Sequence, residues 1–285
     1  MSRIDIVVAP FHAGTSRYRV GKGPHRLLEA GLADALRGAG TEIRIVEVAP
    51  VDTFEGEIGR SFEVKRRVAA AVRTAVQARR FPLVLAGNCN ACVGTYAGLA
   101  DPGVQVVWFD AHPDFSTPDE VASGYFDSMG AATLAGQCWH RLTTTIPGFR
   151  PLDLSRLIYC GIRDFEPGQR EKVEMYAMSA IYGGQNRDIN FADELDNTLT
   201  GTAGRVLVHL DLDCLDTSVG YANEYAAPGG LSSDDLADCM TRVLSHTAPA
   251  AMTIASFNPD LPGSEAIASA GIRAAAIVVQ AALRA

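Results

Sequence analysis

The feature that most constrains the fold is the alternation of short apolar runs with amphipathic stretches along the whole sequence. Several runs are almost continuously apolar, as expected for strands that are buried on both faces of a sheet. They predict strands at residues 4–9, 42–48, 82–87, 104–110, 156–161, 178–182, 205–211 and 251–257.

Amphipathic stretches between these runs predict helices, among them residues 24–40, 61–80, 232–246 and 263–285. Ser232, followed three residues later by Asp235, is typical of a helix start, where such side chains bond free backbone amides. The strand–helix alternation predicts an α/β fold, a three-layer αβα sandwich with a mostly parallel sheet. A closed eight-stranded barrel shows the same alternation and is the alternative.

Nothing in the sequence divides the chain into parts. Its 285 residues contain no linker rich in Pro, Gly or Ser and no internal repeat, and 47% of them are hydrophobic. The mean hydropathy is +0.07. We therefore expect a single domain over residues 1–285 with a large core. No uninterrupted apolar run approaches the roughly 18 residues of a membrane span, so we expect no membrane association.

Charge and cysteine content narrow the range of partners. The chain has 25 basic and 33 acidic residues. This balance argues against nucleic acid, whose phosphates require a basic surface, and leaves a small-molecule substrate as the expected partner. The six cysteines are scattered without a disulfide framework, and the first residues do not read as a secretory signal. We expect reduced thiols and a cytoplasmic location.

Three predicted strands end in polar motifs: "GNCN" (87–90), "DAHPD" (110–114) and "HLDLD" (209–213). Residues two positions apart on a strand point to the same side, so Asp211 and Asp213 aim together, as can Asp110 and His112. Ligands of parallel α/β sheets gather at the carboxyl ends of the strands. The motifs are therefore expected to face one pocket.

Carboxylates that meet in a buried pocket must either take up protons or bind cations. A carboxylate-rich set with one imidazole suits Mn²⁺ better than Zn²⁺ or Cu²⁺. The alternative is that each motif is only a polar loop or helix cap, but two such motifs after buried strands favour a metal site. His209 also points to this side by strand parity. We interpret it as a core histidine, or one that orients a ligand, rather than a ligand.

The motifs "DAHPDFSTP" (110–118) and "LDLDCLDTS" (210–218) together resemble the paired signature of the arginase/agmatinase superfamily, the ureohydrolases. The resemblance extends to "GIRDFEPGQ" (161–169), "APGGLSSDDL" (227–236) and "FNPD" (257–260). It implies the αβα sandwich fold and, by analogy, a homo-oligomer such as a trimer or hexamer.

The resemblance also implies two Mn²⁺ ions bridged by a hydroxide that attacks a guanidinium carbon. Carried over by position, Asp110 and Asp211 would bridge the ions. His112 and Asp213 would complete the coordination of one ion, and Asp114 would complete that of the other. Asp114 would also pass a proton to the leaving amine.

The sequence departs from the family at the sixth ligand, where Cys89 stands in place of a histidine. Cys89 either ligates as a softer thiolate or is a small buried residue, in which case one metal is lost. We expect two Mn²⁺, with one as the alternative because of Cys89. The hydroxyarginine hydrolases of D-cycloserine biosynthesis resemble this chain in having cysteine at that position.

Substrate positions differ as well. Asp127 stands where the family has a proton-shuttling histidine and would either shuttle protons or hold a cationic substrate. Ser256 replaces the acid that binds the guanidinium group. The remaining predicted substrate contacts are Ser116 and Ser123 for a carboxylate, Tyr125 in place of an asparagine, and Glu166 for an α-amino group.

These features predict a metal-dependent hydrolase of a C–N bond in a linear amidine or guanidino substrate. One alternative is a mononuclear amide hydrolase, as in the fold-related deacetylases. The other is a family member without catalysis that serves as a binding subunit.

Overall fold

The computed structural model describes residues 3–37, 41–52 and 54–284. Its strands are β1 Arg3–Ala9, β2 Phe11–His12, β3 Thr15–Ser16, β4 Glu42–Glu47, β5 Phe81–Ala86, β6 Gln105–Phe109, β7 Leu157–Ile162, β8 Ser179–Tyr182, β9 Arg205–Asp211 and β10 Ala248–Ala255. Its α-helices are α1 Gly23–Glu29, α2 Leu32–Ala35, α3 Glu57–Gln77, α4 Cys92–Leu99, α5 Gly130–Leu134, α6 His140–Thr143, α7 Gln169–Met175, α8 Phe191–Leu199, α9 Ser233–His246 and α10 Ser264–Ala282.

The main sheet is parallel throughout and has the strand order β4-β1-β5-β10-β9-β6-β7-β8. Each of the eight predicted runs forms one of its strands, with bounds that differ by up to three residues. Strands β4 and β8 lie at the two edges, so the sheet is open and the barrel alternative is wrong. The short strands β2 and β3 form a separate antiparallel pair.

Helices cover both faces of the sheet, which confirms the predicted αβα sandwich. One core packs residues of α3 and α4, such as Phe62 and Val93, against the sheet. The other packs residues of α8, α9 and α10, such as Leu195 and Met240, against the opposite face. The central strands are buried on both sides, which explains their continuously apolar sequence. The single-domain assignment stays a prediction.

Two predicted elements are interrupted where the backbone turns left-handed. Gly31, with φ +94°, separates α1 from α2, so the single helix predicted over 24–40 is wrong, and residues 38–40 lie outside the described residues. Ser256, with φ +61°, ends β10 two residues before the predicted end. The capping box of Ser232 and Asp235 is present at the start of α9, as predicted.

By length and composition, α10 is apolar enough to cross a membrane, and 44% of its most apolar window is buried. The expectation of no membrane association considered only uninterrupted apolar runs. It did not count α10, because Glu265 and Arg273 interrupt the apolar stretch of this helix. Its residues Ile267, Ala274 and Val278 pack in the second core, as in a helix that covers a sheet.

Candidate metal centre

Four neighbouring strands bring the polar motifs together. Strands β5, β10, β9 and β6 are consecutive in the sheet, and each ends in part of the candidate site. In the register of β6 and β9, Trp108 pairs with His209 and Phe109 with Leu210, which sets Asp110 beside Asp211. The chain after β5 supplies Cys89, and the chain after β10 supplies Ser256.

The turn after β6 is held by hydrogen bonds to Asp110. The indole Nε1 of Trp108 donates to Oδ2 of Asp110 at 2.8 Å, and the backbone amide of His112 donates to Oδ1 at 2.7 Å. Asp114 follows with φ +48°, and its carbonyl oxygen accepts from the amides of Ala131 and Ala132. The contacts to Asp110 orient its carboxylate, and those to Asp114 hold its backbone in place.

The turn after β9 is built in the same way. Oδ1 of Asp211 accepts a 2.8 Å hydrogen bond from the amide of Asp213, and Asp213 itself accepts from the Ala111 amide at 3.1 Å. The side-chain amide of Asn223 donates to Oδ2 of Asp213 at 2.8 Å. The two turns are therefore bonded to each other, and their carboxylates converge.

His112 lies between the turns. Its Nδ1 atom is 3.3 Å from an Asp213 oxygen and 3.4 Å from an Asp110 oxygen. One ligand atom from each of these residues lies within 4.8 Å of the others, a spacing that could hold a metal ion. Burial by itself would lower the pKa of His112, but Asp213 and then Asp110 raise it well above its usual range.

The carboxylates repel one another in this buried setting. Burial, followed by the charge of Asp213, raises the pKa of Asp110 to about 7. Burial and the neighbouring aspartates raise the pKa values of Asp114 and Asp211 well above their ordinary range. Burial opposes the ionisation of Asp213 too, but the charge of His112 holds its pKa below the usual value.

Cys89 faces the same carboxylates. Its Sγ atom lies 2.6 Å from Oδ2 of Asp211 and 3.1 Å from the hydroxyl of Ser256. Burial, and then the charge of Asp211, raises the pKa of the thiol well above its usual value. All six cysteines, which lie in the part of the chain that the structure describes, are free and buried.

Asp127 holds the loop that carries Cys89. Its Oδ2 atom accepts from the side-chain amide of Asn88 at 2.6 Å and from the Cys89 amide at 3.2 Å. Its Oδ1 atom accepts from the backbone and side-chain amides of Asn90, both at 2.9 Å. Burial raises the pKa of Asp127, while these hydrogen bonds oppose the rise. Because both oxygens bond protein amides, the geometry favours a positioning role over the predicted proton shuttle.

The site opens into a cavity of about 230 Å³. Three aromatic side chains, Tyr125, Phe165 and Tyr225, form part of its wall, and the rings of Tyr125 and Tyr225 lie 5.3 Å apart. The predicted site residues that line it are His112, Asp114, Tyr125, Asp127, Glu166, Asp211, Asp213 and Ser256.

Four of the predicted residues do not line the cavity, and the first of them is the buried Cys89. Asp110 is buried and accepts a hydrogen bond from Trp108. Ser116 is buried, and its hydroxyl accepts a 2.7 Å hydrogen bond from Gln169, which lines the cavity in its place. Ser123 is exposed, and its hydroxyl accepts from the Tyr125 amide, so the structure does not support direct substrate contact by Ser123.

Sequence reasoning missed several cavity residues, including Asp164, Gln169, Asn223 and Tyr225. Asp164 lies 3.6 Å from Nε2 of His112. Both Asp164 and Gln169 belong to the "GIRDFEPGQ" segment, so that motif was the available signal. Asn223 and Tyr225 come from the loop after β9, where no pattern distinguishes them from ordinary loop residues.

The donor set fits divalent cations. Four carboxylates, from Asp110, Asp114, Asp211 and Asp213, are each nearly inaccessible to solvent, and burying several like charges together is costly without a compensating charge. Carboxylate oxygens and an imidazole nitrogen are ordinary ligands of first-row divalent metals. The residues present therefore suit a site for divalent cations.

The fold and the site together define the class of protein. It is an αβα sandwich with a parallel sheet and, at the carboxyl ends of the strands, a carboxylate-rich site suited to metal ions. Residues 2–283 match the arginase family, and the chain belongs to this family. It is 31% identical to the arginase of Bacillus caldovelox over 251 residues, which cover 81% of this chain and 83% of that protein. It is 28% identical to the arginase of Eremothecium gossypii over 282 residues, covering 91% and 70% of the two chains.

Solved structures share the fold. The arginase of Bacillus cereus superimposes with a TM-score of 0.85 at 20% identity, covering 98% of each chain. A formimidoylglutamase of Bacillus subtilis superimposes with a TM-score of 0.74 at 15% identity, covering 99% of this chain and 87% of the other. The family resemblance seen in the motifs is thus confirmed. The narrower resemblance to the hydroxyarginine hydrolases stays a prediction.

Proposed function

We propose that this arginase-family hydrolase cleaves a C–N bond in a small linear substrate that carries an amidine or guanidino-like group, using divalent cations. The observation that carries the proposal is that His112, Asp114, Asp211 and Asp213 line one cavity. The buried Asp110 has a ligand atom within 4.8 Å of those of His112 and Asp213. When bound, the cations would lower the pKa of water toward neutrality and so supply a nucleophile.

The cavity favours a small cationic substrate. Asp164 and Glu166 place carboxylates on its wall, and Tyr125 and Tyr225 offer aromatic faces. Acidic groups attract amidinium and guanidinium ions, and aromatic faces stabilise cations that lie against them. At about 230 Å³ the cavity is smaller than a typical drug-sized pocket, so a compact substrate fits it better.

Proton transfer is assigned to Asp114. Its carboxyl group lines the cavity, and burial raises its pKa. It would accept a proton from the attacking water and deliver it to the leaving nitrogen. Ser256 cannot supply the negative charge that an acid would offer at its position, so the cationic group must be held by other acids. Asp164 and Glu166 are the candidates that line the wall.

The test is turnover of a panel of guanidino and amidino compounds by protein freed of metal and reloaded with Mn²⁺ or Zn²⁺. We expect release of urea, ammonia or an amide from at least one compound, and loss of that activity in Asp114→Asn. Asp119→Asn, a change at an exposed aspartate, is the matched control. Full metal binding without turnover of any compound would contradict the proposed activity and favour the non-catalytic alternative.

A further inference from the structure

His209 is a buried histidine whose ring nitrogens are left unsatisfied. The side chain is inaccessible to solvent, and its ring lies 3.8 Å from the ring of Trp108. Within the described residues, neither ring nitrogen has a hydrogen-bond partner. An unpaired buried polar group destabilises the folded state, and nearly all such groups in folded proteins are paired. A bound ligand at a ring nitrogen would remove this destabilisation.

The neighbours of His209 identify the kind of ligand. A ring nitrogen of His209, Sγ of Cys89 and a carboxylate oxygen of Asp110 all lie within 4.8 Å of one another. All three residues are buried. This cluster is distinct from the one formed by His112, Asp110 and Asp213, and the two share Asp110.

The two clusters differ in chemical softness. The His112 cluster offers one nitrogen and otherwise carboxylate oxygens, which suit Mn²⁺. The His209 cluster offers sulfur, nitrogen and oxygen, a set typical of Zn²⁺ and Co²⁺ sites and poorly matched to Mn²⁺. Its thiolate and carboxylate would balance the charge of one divalent cation.

We propose that Cys89, Asp110 and His209 form a thiolate–imidazole–carboxylate metal subsite that selects Zn²⁺ over Mn²⁺. Binding deprotonates the Cys89 thiol, the proton is released to solvent, and the cation forms bonds to Sγ, to a ring nitrogen of His209 and to Asp110. Asp110 then joins this subsite to the His112 cluster. His209 is thus a ligand, in contrast to its interpretation from the sequence. The proposal rests on the metal-dependent function above and specifies its metals.

The test uses metal binding instead of hydrolysis, so that it can fail separately from the proposed activity. Metal-free full-length protein is titrated with Co²⁺, whose bond to a thiolate gives a charge-transfer band in the near ultraviolet. Zn²⁺ affinity is measured by competition with a chelator. The variants are His209→Gln and Cys89→Ser in the proposed subsite, His112→Gln in the other cluster, and His246→Gln as a matched control remote from both.

We expect the band in the wild type, its loss in Cys89→Ser, and its retention in His112→Gln and His246→Gln. His209→Gln should lower Zn²⁺ affinity by more than about 100-fold and change the Co²⁺ spectrum. Loss of a group that only orients a ligand costs roughly 10–100-fold. A wild type without the band, or a His209→Gln variant with unchanged spectrum and affinity, would overturn the subsite.

A measurement on the wild type guards against variants that fail to fold. X-ray absorption of protein loaded with one equivalent of Zn²⁺ should show a sulfur neighbour at about 2.3 Å and nitrogen at about 2.0–2.1 Å. A shell of oxygen and nitrogen alone would refute ligation by Cys89. If the sulfur shell is present but no amidine is hydrolysed, the proposed activity fails while the subsite stands.

Discussion

The Sγ atom of Cys89 lies 2.6 Å from Oδ2 of Asp211, although the two residues are 122 positions apart in the sequence. The contact joins the loop after β5 to the end of β9, across the intervening strand β10. It places a thiol beside the aspartate that the family resemblance puts in the middle of the metal centre. The stability and metal binding of this protein should therefore depend on the same few buried groups.

Removing the charge of Asp110 should impair metal binding and turnover together. Asp110 belongs to both candidate ligand clusters, so Asp110→Asn is expected to lower metal content and to reduce kcat by more than about 100-fold. Metal analysis after dialysis, together with a turnover assay, measures both effects. Asp238→Asn, at an exposed position on α9, should behave like the wild type. Full metal content in Asp110→Asn would argue against Asp110 as a shared ligand.

The metal-free protein should lose stability as pH rises from about 4 to about 7. The folded pKa of Asp110 is raised from 3.8 to about 7. The folded state therefore keeps a proton that the unfolded chain releases in this range. The stabilisation is present at low pH and is lost by about pH 7, with a size on the order of a few kcal/mol.

Urea unfolding at several pH values in the presence of a chelator measures this dependence. The free energy of unfolding of Asp110→Asn should change less with pH than that of the wild type. Saturating divalent cation should reverse the slope, because cations bind only the ionised carboxylates. Parallel curves for the wild type and Asp110→Asn would contradict the assignment of the raised pKa to Asp110.

Lys65 should make the free energy of unfolding rise with pH in the alkaline range, which is opposite to the effect of Asp110. It is fully buried, and its ammonium donates to Oδ1 of Asn90 at 2.8 Å. Burial lowers its pKa from 10.5 to about 7. Between these values the unfolded chain holds more protons, so the stability of the wild type rises with pH. The stability advantage of Lys65→Met over the wild type should shrink by about 2–3 kcal/mol from pH 6.5 to pH 9.

Equilibrium unfolding at the two pH values checks this difference, and Lys22→Met, at an exposed lysine bonded to Asp260, is the control. The free energy of unfolding of Lys22→Met should differ from that of the wild type by the same amount at both pH values. A constant difference between Lys65→Met and the wild type would mean that Lys65 keeps an ordinary pKa.

Asp127→Asn should destabilise the fold and weaken metal binding at Cys89. Asp127 accepts four amide hydrogen bonds, and an asparagine would turn its own NH₂ group toward some of these donors. We expect a loss of about 2–4 kcal/mol in the free energy of unfolding. Chemical unfolding and Zn²⁺ affinity report the two effects, and Asp119→Asn should leave both unchanged. Wild-type stability with altered pH dependence of turnover would instead support the proton-shuttle hypothesis.

Local patterns in the sequence determined the architecture and most of the centre. The central strands are buried on both faces and almost continuously apolar, so their runs could be recognised without tertiary information. The positions of Asp110 and Asp211 at the ends of β6 and β9 predicted a shared pocket. Hydrogen bonds in the two turns, and not strand parity, set the directions of the side chains. Carboxylates at strand ends then pointed to cations because like charges cannot share a buried pocket.

Tertiary structure alone decided which atoms meet. The breaks at Gly31 and Ser256 depend on backbone torsions that the apolar pattern does not encode. The sequence offered a proton shuttle or a cation-binding group at Asp127, and its four amide partners favour a positioning role. The sequence did not indicate this role, because hydrogen bonds across 37 to 39 positions leave no local pattern. That the ring nitrogens of His209 are unpaired is likewise a result of tertiary packing. A histidine at this position of a strand is compatible with a core residue or a metal ligand, and only its spatial neighbours distinguish the two.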